Sequence, residues 1–417
     1  MNSTETGQNE LPIETSASNT INVCMVAVYF YPDIGGIQMT LLALSQQLQK
    51  MGVSVTVITR RTHDNPYFEV VNGLRIFRLD IPKSKPKIIA AFQFIAGSLI
   101  ILWKEKTRYQ VVHSHQLVTP TTIGLLAKTF LGKKLVLTPH TPSTAGAFRS
   151  LVYKRPLTGK PRIKWMQKSA DAVVAISEEI KRDLFRLGFP PKMVSYIPNG
   201  VDTERFSPID EAMKRERRRE LGISDGPVII CAGRLIPRKQ IDVLIKAFSM
   251  LVPELPSTSI LMVLGDGEER SRLEELAMSL DVSSQIHFMG SVLDAHTYLQ
   301  ASDVFVIPSS IEGMPIILLE AMSCGLPSIG SKIGGIEDLI ADGKTGIFVN
   351  SGDVADLKEK INSLIKDRQF ALRLGQAARN EIVKNYSMET TARNHLDLYK
   401  CLLDTRSGKR NGNKKWK

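Results

Sequence analysis

Apolar residues fall along this chain in short double-sided runs separated by amphipathic stretches, the pattern of alternating strands and helices in an α/β protein. Residues 21–30 are apolar on both faces and rich in β-branched side chains, which predicts a buried parallel strand. Residues 31–38 break it, residues 39–51 place Leu41, Leu42, Leu44 and Leu48 on one helical face, and residues 53–59 predict the next strand. Gly35 and Gly36 therefore lie in the loop at the carboxyl edge of the sheet, where open α/β sheets bind ligands. Their spacing is not that of a Gly-x-Gly-x-x-Gly fingerprint, so hydride chemistry is disfavoured.

Further strands are expected at 111–112, 134–138, 172–176 and 194–197, and each ends in polar residues, which implies one functional edge. A second alternating set starts at Val228, with strands near 228–232, 259–264, 286–289, 304–307 and 328–329. Residues 199–208 connect the two sets. The expected fold class is α/β, with two Rossmann-like domains facing a central cleft. The expected divisions are a disordered tail over 1–20, a first domain over 21–205, a second over 206–385, a helix over 386–405 and a basic tail over 406–417.

Charge and composition add partners to this picture. Lys and Arg outnumber Asp and Glu by 54 to 42, a net charge of +12 that favours anionic partners. From Arg149 to Lys168 no acidic residue occurs, and Lys154, Arg155 and their basic neighbours are interleaved with Tyr153 and Trp165. That composition reads as a membrane-surface patch, and no nucleic-acid-binding motif accompanies it. Residues 88–103 are an apolar run shorter than the ~20 residues of a spanning helix, so a buried helix on the sheet is favoured, an interfacial one comes second, and no transmembrane segment is expected. The N-terminal residues lack the apolar core of a secretory signal. Cys24, Cys231, Cys324 and Cys401 form no metal or disulfide spacing, as in a reducing compartment, and the chain is expected to be cytoplasmic and peripheral on a membrane.

Candidate chemistry gathers in a few stretches. Glu312 and Glu320 stand eight positions apart across a turn and a short apolar helix that Pro315 opens and Gly325 stops. A helix start offers free N–H groups to phosphate or sugar hydroxyls, so one glutamate could meet a sugar and the other a ribose. In the run Gly233-Arg-Leu-Ile-Pro-Arg-Lys239, the Arg234 fork and the Lys239 point charge suit a diphosphate that gains charge as its bond to sugar breaks. Gly265 and Gly290 sit at strand tips, where they either admit a ligand or simply turn the chain. His113 and His115 alternate at a strand end and are expected to point to opposite faces, one of them toward the cleft. His140, in Thr-Pro-His-Thr, is a candidate for the acceptor side.

The order Gly-Arg-Leu-x-x-x-Lys, then Glu-Gly-x-Pro with a second Glu and Ala-Met-x-x-Gly, resembles the signature of the retaining, nucleotide-sugar-dependent glycosyltransferases of family 4, which have the GT-B fold. The resemblance spans about residues 21–405. It implies transfer of a sugar from a UDP- or GDP-linked donor to an acceptor hydroxyl by front-face displacement. Glu312 would hold the sugar, Glu320 the ribose, and Arg234 and Lys239 the diphosphate. Gly35, Gly36, Gly265, Gly313, Met314 and Pro315 would line the donor. The His-x-His segment is similar to that of lipid-acceptor members such as phosphatidylinositol glycosyltransferases, which favours His115 as the cleft-facing group and implies a lipid acceptor and membrane-protein partner subunits. Gln240 replaces the glycine that usually follows the lysine. No Asp-x-Asp occurs, so neither metal nor cofactor is expected. A nucleotide-sugar epimerase and a binding-only subunit are the alternatives.

Overall fold

The computed structural model describes residues 20–404 except 34, 63, 82–85, 143–155 and 224. Two mainly parallel sheets carry the fold. The first contains β1 (Asn22–Val26), β2 (Ser54–Arg60), β3 (Phe68–Val71), β4 (Leu74–Leu79), β5 (Val111–His115), β6 (Lys134–Thr138), β7 (Ala172–Ala175) and β8 (Val194–Tyr196). Its order is β3-β4-β2-β1-β5-β6-β7-β8, and only β3 runs antiparallel. The second contains β9 (Val228–Ala232), β10 (Ile260–Leu264), β11 (Ile286–Gly290), β12 (Val304–Ile307), β13 (Ser328–Ser331) and β14 (Ile347–Val349), in the order β11-β10-β9-β12-β13-β14, all parallel. Strands such as β10 and β12 are buried along their whole length, because helices cover both faces, and that is why they read as unbroken apolar runs.

Each sheet reverses strand order at one place, between β1 and β5 in the first and between β9 and β12 in the second. Loops leaving adjacent strands in opposite directions open a crevice there, and ligands of doubly wound sheets sit in it. Gly35–Gly36 follow β1, His115 ends β5, Gly233–Lys239 follow β9 and Glu312 follows β12. The fold thus delivers the candidate residues to the two switch points.

The helix Met388–Leu403 returns from the second sheet and packs against the helix Gly36–Lys50 of the first. Asn199 fixes the connector to the Glu312 loop: its N–H donates to Met314 Sδ and its Nδ2 to the Met314 carbonyl, both at 3.3 Å. Across the domains the Glu178 N–H donates to Asp338 Oδ2 at 2.7 Å.

Candidate active site

The two loops of the second switch point are knitted by their backbones. Ser310 N–H donates to the Arg238 carbonyl at 2.8 Å, and Arg238 Nη1 donates to the Ile311 carbonyl at 3.1 Å. This holds Lys239 Nζ 2.6 Å from Glu312 Oε1, with only 12% and 8% of the two side chains exposed. Glu312 lies in the loop, and the helix Ile316–Ser323 follows with Pro315 as its N-cap, one position earlier than the sequence suggests. Gly325, at φ 73°, stops that helix as expected. The Arg234 side chain is exposed and forms no hydrogen bond or ion pair within the described residues, so its guanidinium is free for an anion.

Glu320 keeps partial surface access, yet the surrounding protein desolvates its carboxyl and pushes its pKa up to about 8, while Arg205 opposes the shift. A carboxyl that resists ionisation here is suited to exchange hydrogen bonds with a diol.

Close backbone packing accounts for two of the candidate glycines. A Cβ on Gly265 would stand 2.0 Å from the Gly233 carbonyl oxygen, and one on Gly313 would stand 2.4 Å from that of His140. Gly313 therefore lets the β6 tip of the first domain press against the Glu312 loop of the second. Gly36 approaches from the same side, since a Cβ there would lie 3.6 Å from Ile316 Cγ1 at the start of the glutamate helix. Gly35 adjoins it at the mouth of the Gly36–Lys50 helix. The segment 331–338 lies beneath: a Cβ on Gly335 would meet the Gly313 carbonyl at 2.4 Å.

One expectation fails. His113 and His115 share a face, with ring centroids 4.1 Å apart, because residues two apart on a strand project to the same side. They head a column of four imidazoles, three of them buried and His140 half-buried. His115 Nδ1 lies 3.2 Å from His140 Nε2, and His113 lies 2.7 Å from both Thr138 Oγ1 and the Tyr399 hydroxyl of the returning helix. His395 lies tilted beside His113, with ring centroids 5.6 Å apart. Burial holds all four rings well below the usual histidine range, His140 and His395 at about 4. Among the described residues the buried His115 Nε2 has no partner, a polar atom that a ligand would satisfy. His395 and Tyr399 carry no local sequence signal, and only their i, i+4 spacing on an amphipathic helix marks them as sharing an inward face.

The basic stretch divides differently. Arg149, Lys154 and Arg155 lie outside the described residues. Trp165, on the helix Pro156–Ser169, is half-buried against the core, while Lys160, Lys164 and Lys168 of that helix are exposed.

Residues 34–205 match the family described as Glycosyltransferase Family 4, and residues 213–381 match Glycosyl transferases group 1. The chain belongs to these glycosyltransferases. The transferase is 34% identical over 233 residues, 53% of its own length and 60% of the other, to a GDP-mannose-dependent alpha-(1-6)-phosphatidylinositol monomannoside mannosyltransferase of Mycolicibacterium smegmatis. It is 24% identical over 397 residues, covering 92% of itself and 99% of the other, to N-acetyl-alpha-D-glucosaminyl L-malate synthase of Bacillus anthracis. Among solved structures, sucrose-phosphate synthase from Thermosynechococcus elongatus superposes with a TM-score of 0.79 at 22% identity, over 92% of this chain and all of that one. The GT-B glycosyltransferase is thus a nucleotide-sugar-dependent transferase of the EC 2.4 class, and the epimerase and binding-only alternatives fall away.

Proposed function

We propose that the protein transfers a sugar, with retention, from a UDP- or GDP-linked donor to a hydroxyl on a membrane lipid such as a phosphatidylinositol. The observation that carries the catalytic half is the Lys239–Glu312 pair, held at 2.6 Å at the second switch point, just ahead of the helix start that Gly36 approaches. Before donor binds, lysine neutralises a carboxylate that would be costly to bury alone. A diphosphate in the crevice draws Lys239 and the free Arg234 and offsets its own charge with them, which leaves Glu312 to face the sugar as positive charge develops at the anomeric carbon. The departing phosphate takes the acceptor proton, so no side-chain nucleophile is required and no metal is needed for the leaving charge. The buried His115 Nε2 meets a sugar hydroxyl, and Glu320 the ribose.

The acceptor is argued from the surface. Of the relatives above, one is named for a phosphatidylinositol monomannoside and the other is an N-acetyl-alpha-D-glucosaminyl L-malate synthase, so relatives alone leave lipid and small acids open. An exposed apolar helix on the first domain favours the lipid. Thermal shift with a panel of nucleotide sugars identifies the donor, because ligand binding stabilises the native state. Transfer is then measured to phosphatidylinositol in vesicles, to free inositol phosphate and to malate, with and without a chelator. Product on the lipid alone, undiminished by chelation, is expected. Product on a small acid alone overturns the lipid assignment.

A further inference from the structure

The helix Lys87–Lys104 is turned inside out for a protein bathed in water. Ile88 and Phe92 are 81% and 71% exposed, Ile100 and Trp103 are 55% and 58% exposed, and all lie along one helical stripe. Its two uncharged polar side chains keep an oxygen buried: Ser98 is buried, Gln93 half-buried, and neither Ser98 Oγ nor Gln93 Oε1 has a partner among the described residues. Scattered exposed hydrophobics need no explanation, but a contiguous stripe above two unsatisfied inward oxygens does. The stripe continues onto neighbours. Phe130, 75% exposed, ends the helix Thr119–Leu131 packed alongside. Exposed Val70 pairs across β3–β4 with Arg75, which is ion-paired with Glu105 at the helix end.

Cations frame this surface. Lys87 and Lys104 are exposed at the two ends, and Lys106 sits over the Trp103 ring at 5.0 Å. Lys133, just after the helix Thr119–Leu131, reaches the Lys106 carbonyl. The acids nearest along the chain are already paired, Glu69 with Arg78, Asp80 with Arg61 and Glu105 with Arg75. Apolar body, interfacial tryptophan and lysines at both ends complement an anionic lipid surface.

We propose that this face seats the enzyme on an anionic bilayer, with the helix lying in the plane of the head groups; the proposal rests on the lipid-acceptor reading and names the surface that serves it. By length and apolarity the helix could cross a membrane. Its inner side forbids that, because Phe94, Ile101 and Leu102 are built into the domain core. β4 is parallel to β2 and β1, so the helix that follows it begins at the sheet edge bearing Gly35–Gly36 and His115. Seating on this face brings the head groups to the mouth of the cleft.

The full-length chain is tested on vesicles of phosphatidylcholine alone and of phosphatidylcholine mixed with phosphatidylglycerol. Binding is expected only to the anionic vesicles, weakened about fivefold for each lysine among Lys87, Lys104 and Lys106 changed to Gln. Phe92→Asp with Trp103→Asp should lower it at least tenfold, while Leu372→Asp, an equally exposed position on the second domain, should not. Unchanged donor-induced thermal shift shows that the variants fold. In the unaltered chain, lipids brominated on their acyl chains should quench tryptophan emission, and Trp103→Phe should remove that quenching. Absence of vesicle binding, binding indifferent to Phe92 and Trp103, or a dimer in solution that Phe92→Asp dissociates would each overturn the proposal. Vesicle binding without transfer to any lipid would instead sink the lipid-acceptor reading and leave the docking face standing.

Discussion

Exchanging Lys239 for Met and Glu312 for Gln, singly and together, probes the pair that organises the cleft. At 2.6 Å, with an effective dielectric of about 20, the Coulomb attraction is about 6 kcal/mol, against desolvation of several kcal/mol per ion. The pair as a whole therefore contributes little, while breaking it strands a buried charge at a cost of about 3–5 kcal/mol. For a domain of this size each kcal/mol moves the melting temperature by roughly 2–4 °C, so each single variant should melt roughly 6–20 °C lower. The double variant, with no charge left to strand, should recover most of that loss. A double-mutant cycle by differential scanning calorimetry should give a coupling of at least about 2 kcal/mol, with transfer lost in all three variants. Single losses that add to within about 0.5 kcal/mol would refute the claim that the two side chains act as a unit.

The buried histidine column makes the protein acid-labile. His395, with its folded pKa near 4 against 6.5 when free, contributes stability that is present above pH 6.5 and is lost as pH falls toward 4, about 3 kcal/mol from this ring alone, with His140 adding in the same direction. Thermal melts from pH 7 to 4 should show that decline, and His395→Gln should flatten it. Glu320 has the opposite sign: its raised pKa means that stability falls as pH rises from 4.5 through about 8. Glu320→Gln should therefore melt higher than the parent at alkaline pH while binding donor more weakly. Gln240 holds a left-handed φ of 51°, the conformation glycine adopts freely, and its side chain accepts from Ser351 Oγ at 2.7 Å on the surface. Gln240→Gly should leave transfer intact and raise stability by up to about 1 kcal/mol, as read from denaturant midpoints.

What the sequence revealed follows from where the apolar side chains point. Strands buried on both faces, such as β1, β9 and β12, announce themselves as unbroken runs, and the loops after them carry Gly35, Arg234 and Glu312 in plain view. β3 and β4 escaped because their pattern is interrupted: Arg75 and Arg78 fall inside β4, and Arg78 is fully buried, bonded to Glu69 and to the Tyr31 carbonyl. A charged residue satisfied by distant partners looks, in sequence, like a solvated one. β14 is only three residues long. The helix Lys87–Lys104 misled in the reverse sense, since an apolar run favours burial and half of this one faces outward. The His113–Tyr399 contact joins residues 286 positions apart, and only the topology of the returning helix brings them together.

The fate of the donor's anomeric carbon decides the mechanism. With an isotopically labelled donor chosen by thermal shift and phosphatidylinositol vesicles as acceptor, the anomeric configuration of the product is read by NMR in the unaltered enzyme and in Glu312→Gln. The prediction is a glycolipid with the donor's configuration retained, and none formed by the variant. An inverted product, or undiminished transfer by Glu312→Gln, would contradict it.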